Sequence, residues 1–160
     1  MVRFKSRYLL CELAVGEGHS LQAVEERMLF WAIRNAVARA HGDYGSAVFS
    51  QSLAVKYLNT QTGVVFLRCR KSYYRVLWSA LPFINRLDSR SHNVPCSLTC
   101  LHVGGTIRTL QKFLIRYNTR QIQRLLPHCR TEEERAEVRR AVMSCSVREL
   151  EKEEEEEEED

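Results

Sequence analysis

The stretch Leu101-His102-Val103-Gly104-Gly105-Thr106-Ile107-Arg108, continuing to Tyr117, constrains the fold of this 160-residue chain more than any other. An apolar strand end meets two glycines and a Thr. Beyond them the apolar positions Ile107, Leu110, Leu114 and Tyr117 recur at three- and four-residue steps, as one face of a helix requires. The spacing therefore predicts a turn from strand to helix at Gly104-Gly105. Such a turn leaves the first N–H groups of the helix unpaired, and two successive positions without a Cβ let a bulky anion approach them. A phosphate suits that place, although a glycine pair alone is more often only a turn.

The predicted helix carries Arg108, Lys112, Arg116, Arg120 and Arg124, each four residues after the last. Like charges at this spacing repel by about 0.2–0.5 kcal/mol per pair on an isolated helix, so the ladder favours an external polyanion. Each step advances about 40° around the axis, and the winding row matches a curved nucleic-acid backbone. A solvated basic face is the blander reading; the ladder alone leaves both open.

Charge extends the argument to the whole chain. Residues 149–160 hold ten acids and one Lys, which leaves 23 basic against 10 acidic residues over 1–148, a body of +13 beneath a formal +4. A body so basic points to a polyanionic partner. Membranes are the other large anionic surface, but no apolar run approaches the ~20 residues needed to span one. No signal-peptide core or lipidation motif is evident, so an intracellular protein is expected.

With 44% hydrophobic residues the chain is expected to form one α+β domain over 1–145, followed by a disordered acidic tail over 146–160 whose self-repulsion opposes compaction. The tail is expected to mask the basic body loosely. The six cysteines contain no Cys-x-x-Cys pair. Cys96 and Cys100, flanked by His92 and His102, lack the tighter paired spacing of structural zinc sites, so buried thiols are the better reading.

In chain order, residues 2–15 read as a strand that starts basic, with Arg3, Lys5 and Arg7 on one face, and ends buried. Ser20 is a cap for a helix to about Ala40, stopping near His41-Gly42. Its core face is Val24, Met28, Leu29, Ala32, Ala36 and Ala40. Phe30 and Val37 lie off that face and suit a protein partner or a covering C-terminal helix, with ordinary exposed aromatics as the alternative. Tyr44–Leu58 reads as a long second strand, 59–63 as a turn and Val64–Arg70 as a third strand, giving a hairpin. There Val65, Leu67 and Cys69 point one way and Arg68 and Arg70 the other, a second row of cations and a candidate patch with the first. Ser72 opens a second helix that Pro82 should end or kink. Residues 86–94 read as a polar loop and Pro95–Val103 as the fourth strand. After the basic helix Pro127 breaks the pattern, and Thr131 with Glu134 is a capping-box signature for a last helix to about Ser144.

The order β-α-β-β-α-β-α-α is the split β-α-β (ferredoxin-like, RNA-recognition-like) pattern: a four-stranded antiparallel sheet with helices on one face and extra C-terminal helices.

Arg7-Tyr8-Leu9-Leu10-Cys11-Glu12-Leu13, Tyr57-Leu58-Asn59, Thr62-Gly63, Leu67-Arg68-Cys69-Arg70-Lys71, Trp78-Ser79-Ala80-Leu81-Pro82-Phe83-Ile84 and the stretch from Leu101 to Tyr117 together resemble, in register over roughly 1–145, a known family. It is the small processing-of-precursors protein subunit, fifth of its series, of eukaryotic ribonuclease P and RNase MRP. The resemblance implies a nuclear, largely nucleolar ribonucleoprotein whose RNA, with magnesium, cleaves precursor tRNA at its 5′ end, while this chain itself binds no cofactor. It implies as partners the ribonuclease P RNA and RNase MRP RNA, precursor tRNA in the assembled particle, and a barrel-shaped subunit with other small protein subunits. By motif it makes Arg68, Arg70, Lys71, Gly104, Gly105, Thr106, Arg108 and Lys112 candidates for RNA contact, to which the basic rows add Arg3, Lys5, Arg7 and Arg116.

The residues themselves agree. Glu12, Asp43 and Asp88 are scattered, and no nucleophile set or carboxylate cluster suited to a protein nuclease is apparent. Cations on phosphate give salt-dependent binding that positions RNA without reading its sequence. The Arg and Lys of the candidate open sheet face stand where base-stacking sheets show aromatics, which disfavours single-strand readout there. Two functions are carried forward: a noncatalytic RNA-binding subunit, and a basic module that docks an acidic protein.

Overall fold

The computed structural model describes residues 3–88 and 93–143, in two compact units that meet in sequence between Thr106 and Ile107. The first unit contains β1 (Ser6–Val15), α1 (Glu26–Phe49), β2 (Ala54–Asn59), β3 (Val64–Arg70), α2 (Tyr74–Ala80), β4 (Arg86–Asp88) and β5 (Asn93–Gly104). The second contains α3 (Ile107–Leu125) and α4 (Glu132–Met143). The expected acidic tail lies outside the described residues.

The sheet of the first unit is antiparallel in the order β2-β3-β1-β5-β4. Its first four strands in that order have the split β-α-β topology expected from the sequence. The three-residue β4 adds a fifth strand, because Arg86, Leu87 and Asp88 pair with Pro95, Val94 and Asn93 where a polar loop was expected. Leu87, fully buried between two exposed neighbours, anchors it.

One sheet face packs on α1 and α2. Leu9, Cys11 and Leu13 of β1 and Val65, Leu67 and Cys69 of β3 alternate into this core with Leu29, Ile33, Ala36, Val37 and Phe49 of α1 and Leu77 and Ala80 of α2. The residues between them, Leu10 and Phe66, face the other way and are also fully buried, with Tyr57 beside Phe66 at a ring separation of 5.4 Å. The centre of that second face is therefore apolar, and its cations lie toward one end.

Three sequence expectations change in this unit. Ser20 caps a short 3-10 turn, its hydroxyl accepting from the Gln22 N–H at 3.2 Å, and the helix proper starts only at Glu26. The buried stripe is Leu29, Ile33, Ala36 and Val37, at three- and four-residue steps, and Ala40 is exposed. Val37, 1% exposed, is thus a core residue and not a partner surface. Phe30 is half-buried against the core, and Trp31 is the exposed aromatic, with the Arg34 guanidinium 5.5 Å from its ring.

The second change concerns 43–49, which are helical and not the start of β2. Gly42 takes φ 62°, a left-handed kink, after which the helix resumes to Phe49. Gly45 and Phe49 are four apart, and a Cβ on Gly45 would lie 2.8 Å from Val37 and His41 side-chain carbons, so this turn packs back tightly on the helix before it. The β2–β3 turn is as expected: Asn59 Oδ1 accepts from the Gln61 and Thr62 N–H groups and Gly63 supplies φ 76°.

The third change is a bulge. Leu10 pairs with His102 but Cys11 with Cys100, so Leu101 is an extra residue in β5. Cys96, Leu98 and Cys100 point into the core, and after the bulge it is Val103 that does so.

In the second unit, Ile107, Leu110 and Leu114 of α3 are buried and Tyr117 is half-buried, the stripe the spacing predicts. Leu126–His128 form a 3-10 turn at Pro127, and α4 opens on the expected cap. The Glu134 N–H donates to Thr131 Oγ1 at 3.2 Å, while the Glu134 carboxylate accepts from the Arg130 N–H at 2.9 Å. Among the described residues no helix is long and apolar enough to cross a membrane.

Candidate nucleic-acid interface

The candidate cations fall into three groups. The first collects at the end of β1 and β3. Ser6 pairs with Arg70 and Tyr8 with Arg68, which puts these two arginines on one face, and the Lys71 N–H donates to the Lys5 carbonyl at 2.8 Å, which brings the backbone of Lys5 and Lys71 to the same strand end, with exposed Arg3 in the segment leading in. Arg68 Nε donates to Ser6 Oγ at 3.2 Å. The Arg70 guanidinium lies 4.1 Å from the Phe4 ring centroid, and that ring is 72% exposed. A guanidinium held over an aromatic face keeps its N–H edge available to an anion.

Arg7 does not belong to this group. It pairs with Cys69, and directly opposite residues share a face, so it points to the helix side of the sheet. The expected patch of both cationic rows is therefore divided between two faces. Arg7 Nη1 donates to the Ser6 carbonyl at 3.0 Å and lies 3.4 Å from the place a Cβ on Gly105 would occupy. It also lines a concavity of about 390 Å³ with Tyr74, Trp78, Cys100, His102 and Val103. Trp78 is half-exposed there. Neither Gly104 nor Gly105 adopts a positive φ, and a Cβ on Gly105 would make only ordinary contact with the Arg7 guanidinium, so no left-handed turn forms there.

The second unit holds the third group. Arg108, Lys112, Arg116, Arg120 and Arg124 are all exposed on the single helix α3, and among the described residues none is in an ion pair. Their repulsion is uncompensated within this set, the condition under which a phosphate chain adds most.

Cys11, Cys69 and Cys96 are buried thiols of the core. Burial pushes the Cys69 thiol up to about 12 and Cys96 up to about 11. Cys11, opposite Cys100 in the ladder, is held protonated by its hydrogen bond with that thiol and by its burial. Among the described residues no three His, Cys, Asp or Glu side chains converge as a metal site would require.

With this architecture in view, comparison decides the lineage. The model of the Rpp14/Pop5 family matches residues 7–115, from β1 into α3. The chain belongs to the Rpp14/Pop5 family. Ribonuclease P/MRP protein subunit POP5 of Danio rerio is 55% identical over 162 residues, covering 100% of this chain and 96% of its own length. The Homo sapiens protein of that name is 50% identical over 152 residues, covering 94% of this chain and 93% of itself. A chain in the cryo-EM structure of yeast ribonuclease MRP overlays with a TM-score of 0.49 at 10% identity, covering 77% of this chain and 98% of that one. The matched span of the Rpp14/Pop5 family includes Arg7, Arg68, Arg70, Lys71, Gly104, Gly105, Thr106, Arg108 and Lys112, and stops before Arg116. Tyr74 and Trp78 are an aromatic pair within one helical turn, a pattern that in sequence reads as core.

Proposed function

We propose that this chain is a noncatalytic, RNA-binding protein subunit of ribonuclease P, which matures the 5′ ends of precursor tRNA, and of RNase MRP, which processes ribosomal RNA. Its relatives in Danio rerio and Homo sapiens, similar over nearly the whole chain, carry the name of a ribonuclease P/MRP protein subunit. The observation that carries the mechanistic part is the exposed row Arg108, Lys112 and Arg116, without an ion pair among the described residues. Cations so placed neutralise phosphates and let a folded RNA hold its strands close despite their repulsion.

In this reading the RNA carries out cleavage, with magnesium bound to that RNA, and the chain contributes position and charge. The cluster of Lys5, Arg68, Arg70 and Lys71 adds a second phosphate-contacting surface, and the setting is nuclear and nucleolar, among a barrel-shaped and other small protein subunits. Backbone contacts of this kind orient RNA without reading bases.

Crosslinking of the reconstituted particle tests the assignment, with RNA adducts expected at residues 104–116. The purified chain alone should leave precursor tRNA intact while binding ribonuclease P RNA with an affinity that drops steeply as salt rises. Adducts confined to protein neighbours, with no salt-dependent RNA binding, would favour a module that docks an acidic protein.

A further inference from the structure

The concavity on the helix side of the sheet has the chemistry of a nucleotide subsite. One wall is the half-exposed indole of Trp78, with Tyr74 one helical turn before it. The other is the strand end of β5, Leu101 to Val103, which begins at the bulge. Arg7 stands at its side, committed to the Ser6 carbonyl through one N–H and with further donors to offer. Arg75 adjoins Tyr74, its Nε donating to the Tyr74 hydroxyl at 3.3 Å and its guanidinium 5.8 Å from the Tyr74 ring centroid. Among the described residues no carboxylate lines the concavity.

We infer that this concavity receives one unpaired nucleotide of the RNA, its base stacked on Trp78 and its phosphate met by Arg7. The inference rests on the RNA-binding reading above and places a base contact where that reading has only backbone contacts. Three observations favour this occupant over a peptide side chain. The space, about 390 Å³, is of the size of a small-ligand pocket. A flat, half-exposed indole beside a guanidinium matches a ligand with a π-face and an adjoining anion. Arg7 lines the concavity and Arg75 adjoins Tyr74, two cations that favour a phosphate-bearing ligand. Stacking of this kind tolerates any base, so the subsite selects unpaired over duplex RNA and not one sequence over another.

The test uses the full chain with Trp31→Phe, which leaves Trp78 as the only indole of the two in the sequence. The probes are oligouridylate and a blunt RNA duplex. Oligouridylate should quench the Trp78 fluorescence. Trp78→Leu should weaken oligouridylate binding about tenfold and leave duplex binding unchanged, while Trp78→Phe, which keeps a stacking ring, should retain most of the affinity. An unchanged melting midpoint for each variant is expected, since Trp78 is half-exposed, and separates lost stacking from lost fold. If Trp78→Leu leaves oligouridylate affinity untouched while Arg108→Glu with Lys112→Glu still reduces RNA binding, the nucleotide subsite is wrong and the RNA-binding function stands. If neither RNA binds the parent protein, both fall. Shielding of Trp78 only on addition of a protein subunit would assign the concavity to a protein and overturn the inference.

Discussion

Across the β1–β3 ladder Arg7 stands directly opposite Cys69, whereas Arg68 and Arg70 stand opposite Tyr8 and Ser6. This parity sends Arg7 to the helix-covered side and its apparent companions to the other. The basic surface of the first unit is thus two surfaces, one at the strand ends beside Phe4 and one in the Trp78 concavity. A cation counted by composition contributes to a binding site only on the face where its register places it.

Reversing two charges on α3 tests the ladder. Arg108→Glu with Lys112→Glu should lower RNA affinity at least about tenfold at moderate salt and flatten the dependence of log K on log salt by about 0.9 for each phosphate no longer neutralised. Both residues are exposed and without ion pairs among the described residues, so circular dichroism should not change. Filter binding across a salt series gives both numbers.

Gly63 and Gly105 should respond very differently to Ala. Gly63 has φ 76°, and a Cβ there would run into the Leu13 carbonyl oxygen, so Gly63→Ala should cost about 2–3 kcal/mol in urea unfolding. At Gly105 the nearest neighbour is the tip of the flexible Arg7 side chain at 3.4 Å, and the substitution should cost less than about 0.5 kcal/mol.

The reassignment of Val37 to the core has a direct measure. Val37→Ala should destabilise the protein by about 2 kcal/mol, because the removed methyls leave a cavity in the core cluster that also holds Leu29, Ile33 and Phe49. Trp31→Ala, at an exposed position, should change stability by less than about 0.5 kcal/mol. Equal effects of the two substitutions would return Val37 to the surface.

Stability should decline in alkali through Cys69. Its folded thiol titrates at about 12 against 9.0 in the open chain, because burial opposes the thiolate. Between those values the unfolded state has lost a proton that the folded state retains, so the contribution is complete below about pH 9 and falls away as pH rises toward 12. The loss is on the order of 4 kcal/mol over that window. Denaturant midpoints measured from pH 8 upward should show a shallower slope for Cys69→Ala than for the parent chain.

Much of the chain was legible before any coordinates. The apolar spacing after Gly105, the Asn59–Gly63 turn, the breaks at Pro82 and Pro127 and the Thr131 cap all rest on neighbours within five residues, where sequence and geometry are tightly bound. Residues 43–49 misled because a positive-φ glycine inside a helix looks like its end, and only the packing of Gly45 on Val37 shows that the helix resumes. The Leu101 bulge left no local mark, since an extra residue in a strand is defined by its partner strand.

What the sequence determined by itself was periodicity, turn chemistry and the +13 body, because contiguous residues carry these. What the tertiary structure alone decided was which face the β1 and β3 arginines occupy and that Arg7 shares a concavity with Trp78 and not a face with Arg70. The physical reason is the two-residue repeat of a strand: one inserted residue or one step of register reverses every side chain beyond it, and that step is set by distant strands.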